Sequence, residues 1–343
     1  MAEPFGEALG AKASLYTLEA GGLRARITDY AGALVSLEAP DRSGRRDHIV
    51  LGFDDVADYI AAGGSFGALL GRNANRIAGG RLAIDGTTYR LSQNENGNTL
   101  HGGARGFNKR YWTVAEAGKS QIRLTLDSPD GDQGFPGDVH AEALWRLDEK
   151  ALSLSLTATT TRPTALSLSA HPYFNLDGPS SAHCLDHEIA IDAGQFLETD
   201  AQQIPTGVLL PVADTPFDFR TARPIRQRIR EPHAQLRYGK GYDHYFVLAE
   251  RTDALRQAIF VRAQSTGRTL EILTTQPGVQ FYTGNNLNGS VAGRGGLYRQ
   301  SAGFAIEPQG FPDAPNHPGF PSVILRPGQA YRQEIVYRLG VET

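Results

Sequence analysis

Six short polar clusters hold most of the side chains in this sequence that can move protons or grip a polar ligand. They are Gly71–Ile77 (GRNANRI), Asn94–Gly103 (NENGNTLHGG), Ser169–Leu176 (SAHPYFNL), Gly241–Phe246 (GYDHYF), Gln276–Asn286 (QPGVQFYTGNN) and Ile306–Asn316 (IEPQGFPDAPN). Together they supply Arg, Asn, His, Tyr, Asp, Gln and Glu, several with an aromatic ring alongside. That mixture suits a sugar: aromatic faces cover C–H surface, and polar groups pair with hydroxyls. Glu307 follows Phe304-Ala305-Ile306 at the end of an apolar run, and a carboxylate left there needs a partner or a task. His171 precedes Pro172 at the end of an alternating run, and His101 lies between Leu100 and two glycines; a lone histidine in either setting often serves structure only. In GYDHYF only one of Asp243 and His244 need face a site, and Asp243 is favoured.

Other patterns resemble chemistry but lack its setting. Gly63–Gly67 (GGSFG) matches the G-x-S-x-G elbow of hydrolases, yet that motif needs a strand–turn–helix in a parallel sheet, which this sequence does not offer. His183 and His187 flank Cys184 at i, i+4, a spacing that shares a face only on a helix, whereas Glu188–Ile191 reads as the start of a strand. Asn288-Gly289-Ser290 is a glycosylation sequon. Asp130–Asp138 lacks the twelve-residue calcium-loop pattern and reads as a turn.

The elements that must position the clusters are strands. Period-two alternation recurs in Leu15–Leu18, Leu23–Ile27, Gln121–Leu126, Ala151–Thr157, Ala165–Ser169 and Thr269–Leu273, placing alternate side chains on opposite faces. Turn chemistry separates the runs at Asp85-Gly86, Asp148-Glu149-Lys150 and Asp130–Gly137. Helical signals are few: Asp54–Ala62, with Asp54 as cap and Gly63-Gly64 as stop, and a second short helix or loop around Arg223–Arg230. No strand–helix alternation, linker or repeat appears. The expectation is an all-β fold, one large antiparallel β-sandwich domain over residues 1–343.

The 343 residues include 40% hydrophobic and 21% charged side chains, far too apolar for a disordered chain. With a net charge of −3, nothing advertises a nucleic-acid partner. The single cysteine, Cys184, excludes an intrachain disulfide and a cysteine-based zinc site. No basic, then apolar leader and no run of about 18 apolar residues occurs, so a cytoplasmic protein without membrane contact is expected.

Taken together and in this order, LHGG, HPYFNL, GYDHYF, PGVQFYTGN and PDAPN resemble the aldose 1-epimerase (galactose mutarotase) family, over roughly Gly71 to Asn316 and the flanking strands. The resemblance implies a β-sandwich with an open sugar-binding face, a small monosaccharide as partner, and neither cofactor nor metal. Carried onto matching positions, it makes Glu307 the general base and His171 the general acid. It makes Asn75, Arg76, His101, Tyr173, Asp243 and Gln280 sugar contacts, and leaves Arg72 as a buried structural charge. Changing an anomer needs one proton removed from the C1 hydroxyl and one delivered to the ring oxygen, with both roles reversed on closure. A carboxylate and an imidazole on opposite sides of that unit can do both.

Three alternatives compete: a glycoside hydrolase with Glu307 and Asp243 as its carboxylate pair, a non-catalytic sugar-binding module, and a hexose-6-phosphate epimerase using Arg72, Arg105 or Lys109 for the phosphate. The preferred hexose and the oligomeric state are not readable from residue identity.

Overall fold

The computed structural model describes residues 2–249 and 254–342. Alternation becomes sheet nearly everywhere it occurs. The strands Ala11–Ala20, Leu23–Thr28, Gln121–Ser128, Ala151–Thr160 and Arg268–Thr274 contain five of the six alternating runs. Strands dominate, in sheets of five, nine and six, together with several two-stranded pairs. The nine-stranded sheet runs in the order Thr113–Ala117, Gln121–Ser128, Val139–Leu147, Ala151–Thr160, Tyr331–Val341, Arg268–Thr274, Arg256–Arg262, Glu188–Ile191, Arg223–Pro224. The C-terminal strand therefore sits mid-sheet, between strands 151–160 and 268–274, antiparallel to both.

The six-stranded sheet carries the site. Its order is Tyr173–Phe174, Phe304–Gln309, Gly278–Tyr282, Asp243–Leu248, Ala193–Thr199, Pro205–Pro211. One face of it supplies Phe174, Phe304, Ile306, Val279, Phe281 and Phe246 to the main core, which the nine-stranded sheet fills from its side with Leu154, Ile272 and Tyr337. The Phe174 and Tyr337 rings meet at 5.4 Å between the two sheets. Burial of these side chains is the main driving force joining the sheets.

Local chemistry accounts for the turns and the departures. Asp85 and Gly86 have φ of 49° and 79°, the pair of positive values a two-residue type I′ hairpin requires. The short helix spans Val56–Ala62, and its cap is Asp55, not Asp54: Asp55 accepts from the Ala57 N–H at 2.7 Å, while Asp54 pairs with Arg294. Arg223–Arg230 is not a helix but a two-residue strand followed by one 3₁₀ turn, Ile225–Gln227. A helix at Ala234–Gly239, capped by His233, was not foreshadowed, because histidine is not a usual capping signal.

The run Ala165–Ser169 is not one strand either. Its two ends pair with different partners, Ile324–Leu325 and Leu69–Leu70, and both of its faces are buried. Leu166 and Leu168 enter the core. Ser169 donates to the Pro308 carbonyl at 2.8 Å, and Ser167 accepts from the Gly310 N–H at 3.0 Å. The alternating serines thus anchor the strand that carries Glu307.

Arg72 is the structural charge expected of it. It is 2% exposed, and its guanidinium donates to the carbonyls of Ser128, Pro129, Pro136 and Gly137 and to the Ser128 hydroxyl. Burial lowers its pKa to about 10, so it remains a cation at neutral pH. Arg72→Ala is expected to cost about 3–5 kcal/mol, since it strands several buried acceptors at once. A thermal unfolding scan checks this, and a midpoint equal to the parent's would remove Arg72 as an organiser of the 128–137 loop.

Candidate active site

Register brings the polar side chains together. On the strand Phe304–Gln309, Phe304 and Ile306 point into the core, so Ala305 and Glu307 take the other face. The neighbouring pairs are Gln280 with Glu307, Tyr245 with Gln280, Asp243 with Tyr282, and Tyr173 with Ala305. Extending the Tyr173–Ala305 pairing by two residues sets His171 opposite Glu307. The outer face is therefore two cross-strand rows: His171, Glu307, Gln280 and Tyr245, then Tyr173, Ala305, Tyr282 and Asp243. The same alternation sends His244 inward, its ring 4.6 Å from that of Phe217. There His244 Nδ1 accepts the Asp243 N–H at 3.0 Å, and burial lowers its pKa to about 3.

His171, Glu307, Tyr173, Tyr282 and Asp243 from these rows line a cavity of about 360 Å³, a size suited to one small molecule. Asn75, Arg76, His101, His171, Tyr173, Asp243 and Glu307 all line it. Of the expected contacts, Gln280 alone is set back: it lies behind Asp243 and donates to its Oδ1 at 2.6 Å. Glu95, Tyr282 and Asn286 also line it; they fall inside the recognised polar clusters but are not among the contacts picked out there, while Ser65, Phe66, Asn288 and Ser290 belong to the elbow-like and sequon patterns set aside above.

Two strained backbone positions aim the loop residues. Asn75 and His101 both have positive φ, 61° and 51°, rare for residues with a Cβ. They hold one another: the His101 N–H donates to the Asn75 carbonyl, and the Asn75 N–H donates to His101 Nδ1, each at 3.1 Å. A backbone N–H can only donate, so Nδ1 carries no proton, and neutral His101 keeps its proton on Nε2. His101 therefore presents a donor to the cavity.

His171 Nε2 lies 3.4 Å from Glu307 Oε1. The two are adjacent rather than on opposite sides of a ring, a correction that follows from their cross-strand register. The two oxygens of a hemiacetal share a single carbon, so side chains this close to one another are spaced to reach both. Glu307 Oε2 and His171 Nδ1 are buried and have no hydrogen-bond partner within the protein. Burial, reinforced by the charge of Asp243, raises the Glu307 pKa well above the ordinary carboxylate value, with Arg76 opposing. Burial lowers that of His171 to about 4. Displaced pKa values of this kind, on two groups in contact in a cleft, mark acid–base chemistry.

Opposite this pair stands a charged wall. Arg76 donates to both oxygens of Glu95, at 2.6 and 2.7 Å. Burial raises the Asp243 pKa, while Arg76, Gln280 and Gln203 restrain the rise. Among the described residues, His101, His171 and Glu307 form one group whose donor atoms lie within 4.8 Å of each other and could surround a metal. The proton on His101 Nε2 stands against that use, because a metal needs that nitrogen bare.

Comparisons with known proteins bear on the family and the fold. Residues 14–338 match the family model described as aldose 1-epimerase. Human galactose mutarotase is 38% identical over 333 residues, 97% of this chain and 95% of its own length. The aldose 1-epimerase of Escherichia coli (strain K12) is 37% identical over 324 residues, 94% and 93% of the two chains. Among solved structures, an aldose epimerase homologue from C. elegans superposes with a TM-score of 0.88 at 29% identity, covering 96% of this chain and 100% of that one. A galactose 1-epimerase from Lactobacillus acidophilus NCFM gives the same TM-score at 23% identity over 100% and 99% of the two chains, which speaks for the fold. With the family model matched over residues 14–338 and relatives 37–38% identical along nearly the whole of both chains, the chain belongs to the aldose 1-epimerase family.

Proposed function

We propose that this protein is an aldose 1-epimerase that interconverts the α and β anomers of a free hexose, with Glu307 and His171 transferring the protons. The observation that carries the reading is the buried Glu307–His171 contact of 3.4 Å, facing a cavity of monosaccharide size. Glu307 takes the C1 hydroxyl proton and His171 supplies one to the ring oxygen; the C1–O5 bond opens, the aldehyde turns about C1–C2, and closure returns both protons. Carboxylic acid with neutral imidazole, and carboxylate with imidazolium, hold the same number of protons. Burial favours the first arrangement, and a bound hemiacetal lets the proton cross between the two.

Arg76, His101 and Asp243 hold the hydroxyls, and Tyr173 and Tyr282, with ring centroids 6.0 Å apart, cover apolar sugar surface. Arg76 is the one Arg or Lys lining the cavity among the described residues, and Glu95 already neutralises it. Arg72 is buried elsewhere, and Arg105 and Lys109 line a neighbouring cavity. That charge balance favours an unphosphorylated sugar. Polarimetry of freshly dissolved α-galactose and α-glucose, with and without a 6-phosphate, tests this: faster equilibration of the free sugars is expected, and rates equal to buffer alone would defeat it. We also read residues 1–343 as one domain, supported by the central place of the C-terminal strand; limited proteolysis releasing two stable halves would count against it.

The pH profile follows from the pair. Activity needs one proton shared between Glu307 and His171, so kcat/KM is expected to be bell-shaped. The acid limb falls near pH 4, where His171 takes up a second proton, and the alkaline limb falls where the raised Glu307 loses its own. An acid limb near 6.5, the ordinary histidine value, would show that His171 is not held neutral by burial.

A further inference from the structure

The catalytic pair and the binding wall come from sheet register and from the clusters around Arg76 and His101. One further side chain reaches this wall from the far edge of the six-stranded sheet. Gln203 lies in the turn between the strands Ala193–Thr199 and Pro205–Pro211. Its side-chain carbonyl accepts from Arg76 Nη2 at 3.1 Å, and its amide nitrogen donates to Asp243 Oδ2 at 2.7 Å. Since Arg76 only donates and ionised Asp243 only accepts, the orientation of the amide is set by its partners.

The turn is built to hold Gln203 there. Gln203 has a φ of 61°, and Asp200 fixes the loop by accepting from the N–H groups of Gln202 and Ile204 at 2.8 and 3.0 Å. A chain of side-chain bonds then runs from Glu95 through Arg76, Gln203 and Asp243 to Gln280. Among the described residues, Gln203 is the side-chain bridge between its two halves. The donor fork of Arg76 and the acceptor oxygens of Asp243 are the two groups that meet sugar hydroxyls, so the bridge sets the spacing a pair of hydroxyls must match.

We propose that Gln203 is a positioning residue for sugar selection, holding Arg76 and Asp243 at the separation that recognises the hydroxyl pattern of the preferred hexose. The proposal rests on the sugar-site reading above. Because Gln203 touches neither Glu307 nor His171, its removal changes recognition and leaves the proton transfers alone.

The test is steady-state polarimetry of Gln203→Leu and Gln203→Glu on galactose and glucose. Gln203→Leu is expected to raise KM about tenfold or more for the preferred sugar, change kcat by less than about threefold, and narrow the ratio of kcat/KM between the two hexoses. Gln203→Glu supplies a readout that a merely structural role would not move. When ionised, its carboxylate opposes Asp243 and Glu95; when protonated, it restores both bonds, its carbonyl accepting from Arg76 and its O–H donating to Asp243. The ratio of its KM to the parent's, both measured at the same pH, should therefore fall toward one as pH drops through the carboxylate range. Unchanged KM and sugar preference in Gln203→Leu, or a loss confined to kcat, overturns the proposal. Should that variant fail to fold, a KM for Gln203→Glu that tracks the parent's at every pH overturns it equally. Failure of the parent itself to speed mutarotation would sink the activity reading instead, so the two outcomes stay distinct.

Discussion

Glu307→Gln is expected to lower kcat by roughly 10²–10⁴ with little change in KM. Gln keeps the shape of the side chain and still hydrogen-bonds the C1 hydroxyl, but it cannot accept that proton at neutral pH. Polarimetry on the preferred hexose measures the loss. Near-parental rates would remove Glu307 as a proton carrier and make Asp243 the next candidate. The same substitution should raise thermal stability at neutral pH. The folded-state pKa of Glu307 is raised, so its favourable contribution is fully present below the unfolded value and is lost as pH rises through the folded one. Each unit of elevation corresponds to about 1.4 kcal/mol, and Gln, which does not titrate, escapes that loss. A slower enzyme that melts higher is the expected signature of a buried carboxyl kept for chemistry. Asp243→Asn should instead act mainly on KM.

His171→Asn is expected to cost a similar factor, through the proton bound for the ring oxygen. The more telling variant is the double one. Glu307 and His171 act in a single event across a 3.4 Å contact, so Glu307→Gln with His171→Asn should lose far less than the product of the single losses. A double variant whose loss equals that product would mean that the two groups act in separate steps. His171→Asn should also remove the acid limb near pH 4 from whatever activity remains, since that limb is assigned to the His171 ring.

Much of the sandwich was legible because strand periodicity is local. Alternation in Gln121–Ser128 and Ala151–Thr160 dictates which side chains are buried: the burial pattern of the first follows it throughout, and that of the second from Leu152 onward. Where both faces are buried, as in Ala165–Ser169, the same alternation misleads, because serines that bond the backbone of the Glu307 strand resemble solvent-facing ones. The helix Ala234–Gly239 escaped for a related reason: six residues carry too little periodicity, and its cap is an atypical residue.

The site divides along the same line. Clustering of residue types in the sequence marked the polar segments, and the family resemblance they carry picked out Asn75, Arg76, His101, His171, Tyr173, Asp243 and Glu307, every one of which lines the cavity, and Gln280, which does not. Alternation within the strand 243–248 also separates Asp243 from His244 once the apolar Phe246 and Leu248 are assigned to the core. Sequence could not say which strands would be neighbours, because pairing is decided by the combined burial of faces far apart in the chain. Only that pairing puts His171 beside Glu307 instead of across a sugar from it, and sets Gln280 behind Asp243. It also sends Arg72 to four backbone carbonyls and draws Gln203, in a turn with no chemical signature, between Arg76 and Asp243. The kinds of chemistry available were written locally; which atoms touch was decided by register, and register belongs to the whole fold.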